Sequence, residues 1–318
     1  MEISERASGG LSWVEYFRER GYTDVRRIGV GVEGVVYSLG DGRVAKVWVN
    51  GRPQTEVSRQ VFADVARCPL PFATPLIHDV HEHDGVVVTY ERELPGVPMR
   101  SVHEQYGREL PASHKEALII VLRGLASVPG TEVMRRLSVQ GDDRPLWEGH
   151  RRFKDALAGL VGRAVGRNGA ALEGRVPDFE AGVGRVLSGL RAVADGPVSA
   201  IHGDLVPPNV HVAGDGRPVA VLDFGFFTTA GDPAFEAAVT AIIWDMYGPY
   251  AGEHSVELTE LFAREFSYSA DVLRVYQAVY ALTTYDLFGM GAEDGHFRWC
   301  AEQLRRNPVF SGGQWRTR

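Results

Sequence analysis

"AIHGDLVPPNVHV", Ala200 to Val212, is the stretch on which the reading of this chain turns. Asp204 and Asn209 stand five residues apart in it, inside a segment that otherwise reads as two short buried strands. The longer run "VSAIHGDLVPPNVHVAGDGRPVAVLDFGFF" reads as strand, loop, hairpin and strand, ending at Asp223, so three polar side chains converge at one end. An aspartate on a loop can accept a proton from an attacking hydroxyl. An asparagine carbonyl and a second carboxylate are the hard oxygen donors that Mg²⁺ prefers, and that ion neutralises a triphosphate.

Upstream, "VRRIGVGVEGVVYSLGDGRVAKVWV" alternates apolar and polar residues with "GDG" at a hairpin position, which predicts three antiparallel strands. "RPQTEVSRQVFADVARC" has helical spacing, and "PLIHDVHEHDGVVVTY" predicts a second hairpin that turns at "HDG". "ERELPGVPM" is a connector punctuated by Pro and Gly, after which helical periodicity dominates through residue 195 and again from Pro233. The expectation is therefore an α+β chain. Residues 1–94 form a small β-rich unit with one helix, and residues 95–318 form a larger, mainly helical unit that carries the catalytic loop. "VGRAVGRNGAALEGRVPD", rich in glycine, reads as a mobile loop. In the first unit "GVGVEGVV" puts Gly29, Gly31 and Gly34 on a strand turn, where missing side chains let backbone N–H groups approach phosphate oxygens. Lys46 in "VAKVW" adds a positive point charge.

Composition narrows the classes. A chain of 318 residues, 44% of them hydrophobic, can bury a full core in about two domains. The start, "MEISERASGG", lacks the basic-then-apolar order of a secretory signal, and no window approaches the roughly 18 apolar residues of a membrane span. A cytoplasmic location with no membrane partner is expected. Cys68 and Cys300 stand far apart in no metal-ligand spacing, which argues against a disulfide framework and a thiolate zinc site. A net charge of −7 argues against nonspecific nucleic-acid binding, which needs a basic face to displace phosphate counterions. His78, His81 and His83 in "HDVHEHD" sit among carboxylates in a hairpin and read as a solvated edge.

A glycine trio in a hairpin is by itself only a turn. The order of the signals carries more: glycine loop, strand lysine, helix glutamate, H-G-D-x-x-x-x-N, then D-F-G is the sequence of parts used in kinase-type phosphoryl transfer. With "HGDLVPPN" and "LDFG" as specific motifs, the chain resembles the aminoglycoside phosphotransferase family of protein-kinase-like small-molecule kinases over nearly its whole length. That resemblance implies a bilobal protein-kinase-like fold with Asp204 as catalytic base and Asn209 and Asp223 as Mg²⁺ ligands. It places Lys46 on the phosphates of ATP or GTP, with Glu56 as its ion-pair partner and Asp64 as the other carboxylate on the same helix. It makes "YERELPG" the hinge, whose backbone around Glu91 to Glu93 would read the purine edge. His202 and Gly203 would shape the catalytic loop, and Glu236 stands where "GDPAFE" matches a family segment that usually ends in Asp.

No protein substrate is expected. Gly203 replaces the arginine with which protein kinases read a phosphorylated activation loop, and only residues 226–231 separate Gly225 from Asp232, too few to dock a peptide. In the family, the region after Asp223 builds the acceptor pocket. From Gly231 to Cys300 eleven acids face three bases, a net of −8, so the cleft is expected to attract a cationic hydroxylated compound, with Asp232, Glu236 and Asp245 as candidate contacts. The same span holds Trp244, Tyr247, Tyr250, Tyr268, Tyr276, Tyr280, Tyr285 and Trp299, and one or two of these rings lining the cleft would stack on a planar group. The expected activity is O-phosphorylation of an aminoglycoside, nucleoside or cyclic-peptide antibiotic, giving resistance by inactivation. A choline- or sugar-type metabolite kinase shares the same motifs, while a non-catalytic module is disfavoured because base, metal ligands and lysine are all present.

Overall fold

Alternation of apolar and polar residues builds β1 (Arg26–Val30), β2 (Gly34–Ser38), β3 (Arg43–Trp48), β4 (Ile77–His83) and β5 (Val86–Arg92) into one antiparallel sheet in the order β1-β2-β3-β5-β4. The computed structural model describes residues 12–31, 34–48, 55–101, 104–289 and 294–313. Helix α1 (Trp13–Glu19) starts at a reciprocal capping box between Ser12 and Glu15. It buries Trp13, Tyr16 and Phe17 against Val35, Tyr37, Val47, Val88 and Tyr90 of the sheet. Helix α2 (Thr55–Ala66) links β3 to β4 but faces elsewhere: Val61, Phe62 and Val65 belong to the larger core of the molecule, with the Phe62 ring 5.9 Å from Phe224.

Beyond β5, residues 93–96 lead to β6 (Val97–Pro98), which pairs with β8 (Val210–Val212), itself paired with β9 (Pro218–Val221). Strand β7 (Ser199–Ile201) pairs antiparallel with β10 (Thr229–Gly231). Around these short strands pack α3 (Ala112–Ser127), α4 (Phe153–Glu173), α5 (Phe179–Ala192), α6 (Pro233–Ile243), α7 (Ala251–Phe266), α8 (Ala270–Thr284), α9 (Gly295–Arg306) and α10 (Pro308–Ser311). Helix α6 is buried all round from Ala234 to Ile243, as suits a central helix, and Glu236 in its first turn meets the loop that follows β7.

The glycine-rich stretch read as a loop is helical through Glu173, as the second half of α4. Glycine costs roughly 1 kcal/mol per helical position, and tertiary contacts override it here. Val161, Ala164 and Leu172 are fully buried, Arg163 pairs with Asp142 at 2.6 Å, and the Tyr285 hydroxyl donates to the Ala164 carbonyl at 2.8 Å. Among the described residues no helix is long and apolar enough to cross a membrane. Nor does any group of three His, Cys, Asp or Glu residues there suit a metal ion; in the β4 hairpin, His81 pairs with Asp79 at 2.8 Å.

Candidate active site

His202 organises the loop that follows β7. Its ring is fully buried, and its Nδ1 must accept, because the group facing it at 3.1 Å is the Asp204 backbone N–H. Nε2 therefore carries the proton and donates to the Leu222 carbonyl at 2.7 Å. One neutral imidazole thus fastens Asp204 to the residue before Asp223, and burial pushes its pKa down to about 4. A second tie runs beside it, since the Leu222 N–H donates to the Asn209 carbonyl at 2.8 Å.

Gly203 has φ +75, and a Cβ there would lie 2.4 Å from the Phe227 Cβ, so neither the backbone conformation nor the space admits a side chain. The loop's N–H groups end on Glu236. Its carboxylate accepts from Gly203 at 3.0 Å and, by a short bond of 2.5 Å, from His202. Glu236 is 2% exposed, and burial raises its pKa to about 7 even though two donors favour the ionised form. It braces the loop after β7 from α6, its oxygens turned to the His202 and Gly203 N–H groups.

Asn209 ends the 3₁₀ turn at Pro207–Asn209. Its Nδ2 donates to the Asp204 carbonyl at 2.9 Å and to Asp204 Oδ2 at 3.3 Å, which leaves Oδ1 as the available donor atom for a cation. Asp223 sits at φ +62, a left-handed conformation that costs a non-glycine residue about 1 kcal/mol or more, and its side chain is half exposed. Its Oδ1 lies 3.1 Å from Lys46 Nζ on β3. The Asp223 carboxylate beside Lys46 and the Asn209 Oδ1 are hard oxygen donors of the kind Mg²⁺ prefers, too few to complete its shell without phosphate or water.

The lysine has a second neighbour that the sequence reading did not single out, Trp48, whose ring centre is 4.0 Å from the ammonium. The signal was present: residues two apart on a strand share a face. Glu56, expected to pair with Lys46, is exposed on α2 and accepts from Gln60 at 2.8 Å, while Asp64 pairs with Arg67 at 2.9 Å. The glycine turn is built as β1-to-β2: Gly31 N–H donates to the Gly34 carbonyl at 2.9 Å. A Cβ on Gly34 would stand 2.0 Å from the Val47 carbonyl oxygen, whereas Gly29 and Gly31 have room for one, so Gly34 is required by the strand behind it.

Glu91 belongs to the sheet, and Glu93 is the first residue past it. Glu91 lies within β5 between Val44 and Ile77, and the Glu93 N–H donates to the Gly42 carbonyl at 2.9 Å. The segment that leaves the sheet is 93–96. The remaining acidic candidates also turn inward. Asp232 caps α6, accepting from the Ala234 N–H at 2.9 Å and from the Tyr276 hydroxyl at 2.8 Å. Asp245 is buried against His254 at 2.8 Å and Arg100 at 3.4 Å.

The profile of the phosphotransferase enzyme family matches residues 24–264. Among solved structures, the chain is similar to a thermostable mutant of the aminoglycoside phosphotransferase APH(4)-Ia, at 20% identity over 94% of this chain and 99% of that one, with a TM-score of 0.58. It is similar as well to the macrolide 2'-phosphotransferase MphH from Brachybacterium faecium (17% identity, 96% and 98% covered, TM-score 0.56). A third likeness is to APH(2")-IIa in its ternary complex with streptomycin and ATP (14% identity, 94% and 97% covered, TM-score 0.54). No curated protein matches the sequence. With a two-part α+β fold of kinase type and a family match over most of its length, the chain belongs to the phosphotransferase enzyme family.

Proposed function

We propose that this protein transfers the γ-phosphate of ATP or GTP to a hydroxyl of a small-molecule antibiotic. The observation that carries the reading is the junction of both lobes at one point: Lys46 of β3 meets Asp223, while Asn209 reaches from the Asp223 side to Asp204. Asp204 accepts the proton of the attacking hydroxyl and orients its oxygen, as a positioned carboxylate does in general-base catalysis. Lys46, steadied over the Trp48 ring, holds the phosphates as a point charge. Bound Mg²⁺, held by Asn209 Oδ1 and the Asp223 carboxylate, supplies neutralisation of the triphosphate charge. Ile28 and Val30, each 54% exposed on β1 just before the glycine turn, offer the purine an apolar surface. The neighbours' acceptors, which include streptomycin in one ternary complex, support an antibiotic as substrate.

Calorimetry with Mg·ATP and Mg·GTP tests the donor half: Asp223→Ala is expected to abolish Mg²⁺-dependent nucleotide binding, and unchanged affinity would count against it. Expression in a susceptible bacterial host tests the acceptor half. A raised inhibitory concentration for at least one antibiotic is expected, and growth without change across the panel would favour a metabolite kinase instead.

A further inference from the structure

We propose that the acceptor subsite grips a hydroxylated compound by an extended apolar or aromatic face, not a polycationic amino sugar by carboxylates; this deepens, and rests on, the phosphotransferase reading. The first observation is where the acids went. Asp232, Glu236 and Asp245 are spent on a helix cap, a loop brace and a buried ion pair. Asp286 pairs with Arg167 and Asn168, Asp294 caps α9, Glu253 meets Arg108, and Glu257 meets Lys115.

The second observation is what stands beside Asp204 instead. Tyr280, 1% exposed, packs with its ring centre 6.2 Å from that of Phe227, the side chain that crowds Gly203 next to Asp204. From it a circuit of rings opens outward: Phe226 at 6.5 Å, Phe288 stacked on Phe226 at 6.4 Å, His296 at 5.2 Å from Phe288, and Trp299 stacked on His296 at 5.5 Å and 6.3 Å from Tyr280. The Tyr247 hydroxyl joins at 3.3 Å from His296 Nδ1. Phe288 is 48% exposed and Tyr247 64%, so the circuit ends in large rings turned to solvent, and clustered exposed aromatic surface marks a recognition site.

The third observation is the polarity of this wall. His296 is buried between Tyr247 and Cys300, and burial lowers its pKa, disfavouring the charged ring. Among the described residues, the Trp299 Nε1–H is buried with no partner; a hydroxyl or carbonyl oxygen can satisfy an N–H donor and an ammonium cannot. The loop whose Gln140 N–H donates to the Phe226 carbonyl at 2.9 Å carries an exposed carboxylate, Asp143.

The test presents the full-length protein and Mg·ATP with a macrolide such as erythromycin in one arm and an aminoglycoside such as kanamycin in the other, with phosphate addition read by mass spectrometry. The macrolide is expected to gain phosphate with a KM that Phe288→Ala raises about tenfold or more, Phe288→Leu partly restores, and KCl between about 50 and 500 mM moves less than about twofold. Phosphorylation of the aminoglycoside with a KM that climbs with salt and with Asp143→Asn, but not with Phe288→Ala, would overturn the inference and leave the phosphotransferase standing. Transfer to neither acceptor would also overturn it. Calorimetry with Mg·ATP then separates the cases, since only loss of nucleotide binding takes the phosphotransferase reading down as well.

Discussion

Glu236 and His202 share one backbone and pull its stability in opposite directions with pH. The folded pKa of Glu236 is raised to about 7, so its contribution is full in acid and is lost as pH rises through that value. The folded pKa of His202 is lowered to about 4, so its contribution is full above the ordinary histidine value of 6.5 and is lost as pH falls toward 4. Glu236→Gln is therefore expected to gain stability relative to the wild type between about pH 5 and pH 7.5. Urea unfolding at the two pH values measures the change, and a difference that stays constant would remove Glu236 as the titrating group. Gly203→Ala should cost at least about 2 kcal/mol, because it adds both a left-handed residue and an overlap with Phe227. Thermal unfolding of that variant at the wild-type temperature would contradict the crowding. "HGDLVPPN" made Asp204 and Asn209 legible as residue types at a fixed spacing. Glu236 was not legible in the same way, because an acid in the first turn of a helix looks alike whether it faces solvent or another loop's N–H groups.

Elements were readable where a short-range pattern was strong. The β1–β3 meander, the β4–β5 hairpin and helix α2 stand where alternation and helical spacing put them. The second half of helix α4 was missed because its glycines weaken local propensity, while the contacts that hold it come from Asp142 and Tyr285, outside the helix. The lysine's surroundings divide in the same manner. Strand position is local, but whether a helix carboxylate reaches across depends on how α2 packs, and α2 turns its apolar face toward Phe224. Glu56→Ala is accordingly expected to keep kcat/KM within about twofold of wild type, whereas Trp48→Ala, which removes the ring under the ammonium, should raise nucleotide KM severalfold. Steady-state kinetics with varied nucleotide decides it. A large loss in Glu56→Ala would return that carboxylate to the lysine.

Over the whole molecule, charge counted along the chain differs from charge gathered in space. The −8 between Gly231 and Cys300 is real as a count, yet Arg100, Arg108, Lys115 and Arg167, all outside that window, come over to meet its acids. The aromatic residues tell the converse story. Tyr247, Tyr280 and Trp299 were visible as possible ring contacts, but Phe226, Phe288 and His296 complete the circuit only in space, where Phe288 and α9 stand beside the residues that follow Asp223. All of this matters only if Asp204 does the chemistry, and the most direct test is a single-turnover comparison of wild type and Asp204→Asn with an acceptor that the wild type phosphorylates. The variant should transfer phosphate about 10²- to 10⁴-fold more slowly while binding Mg·nucleotide with nearly unchanged affinity. Transfer by Asp204→Asn at close to the wild-type rate would contradict Asp204 as the base, and with it the reading of the whole site.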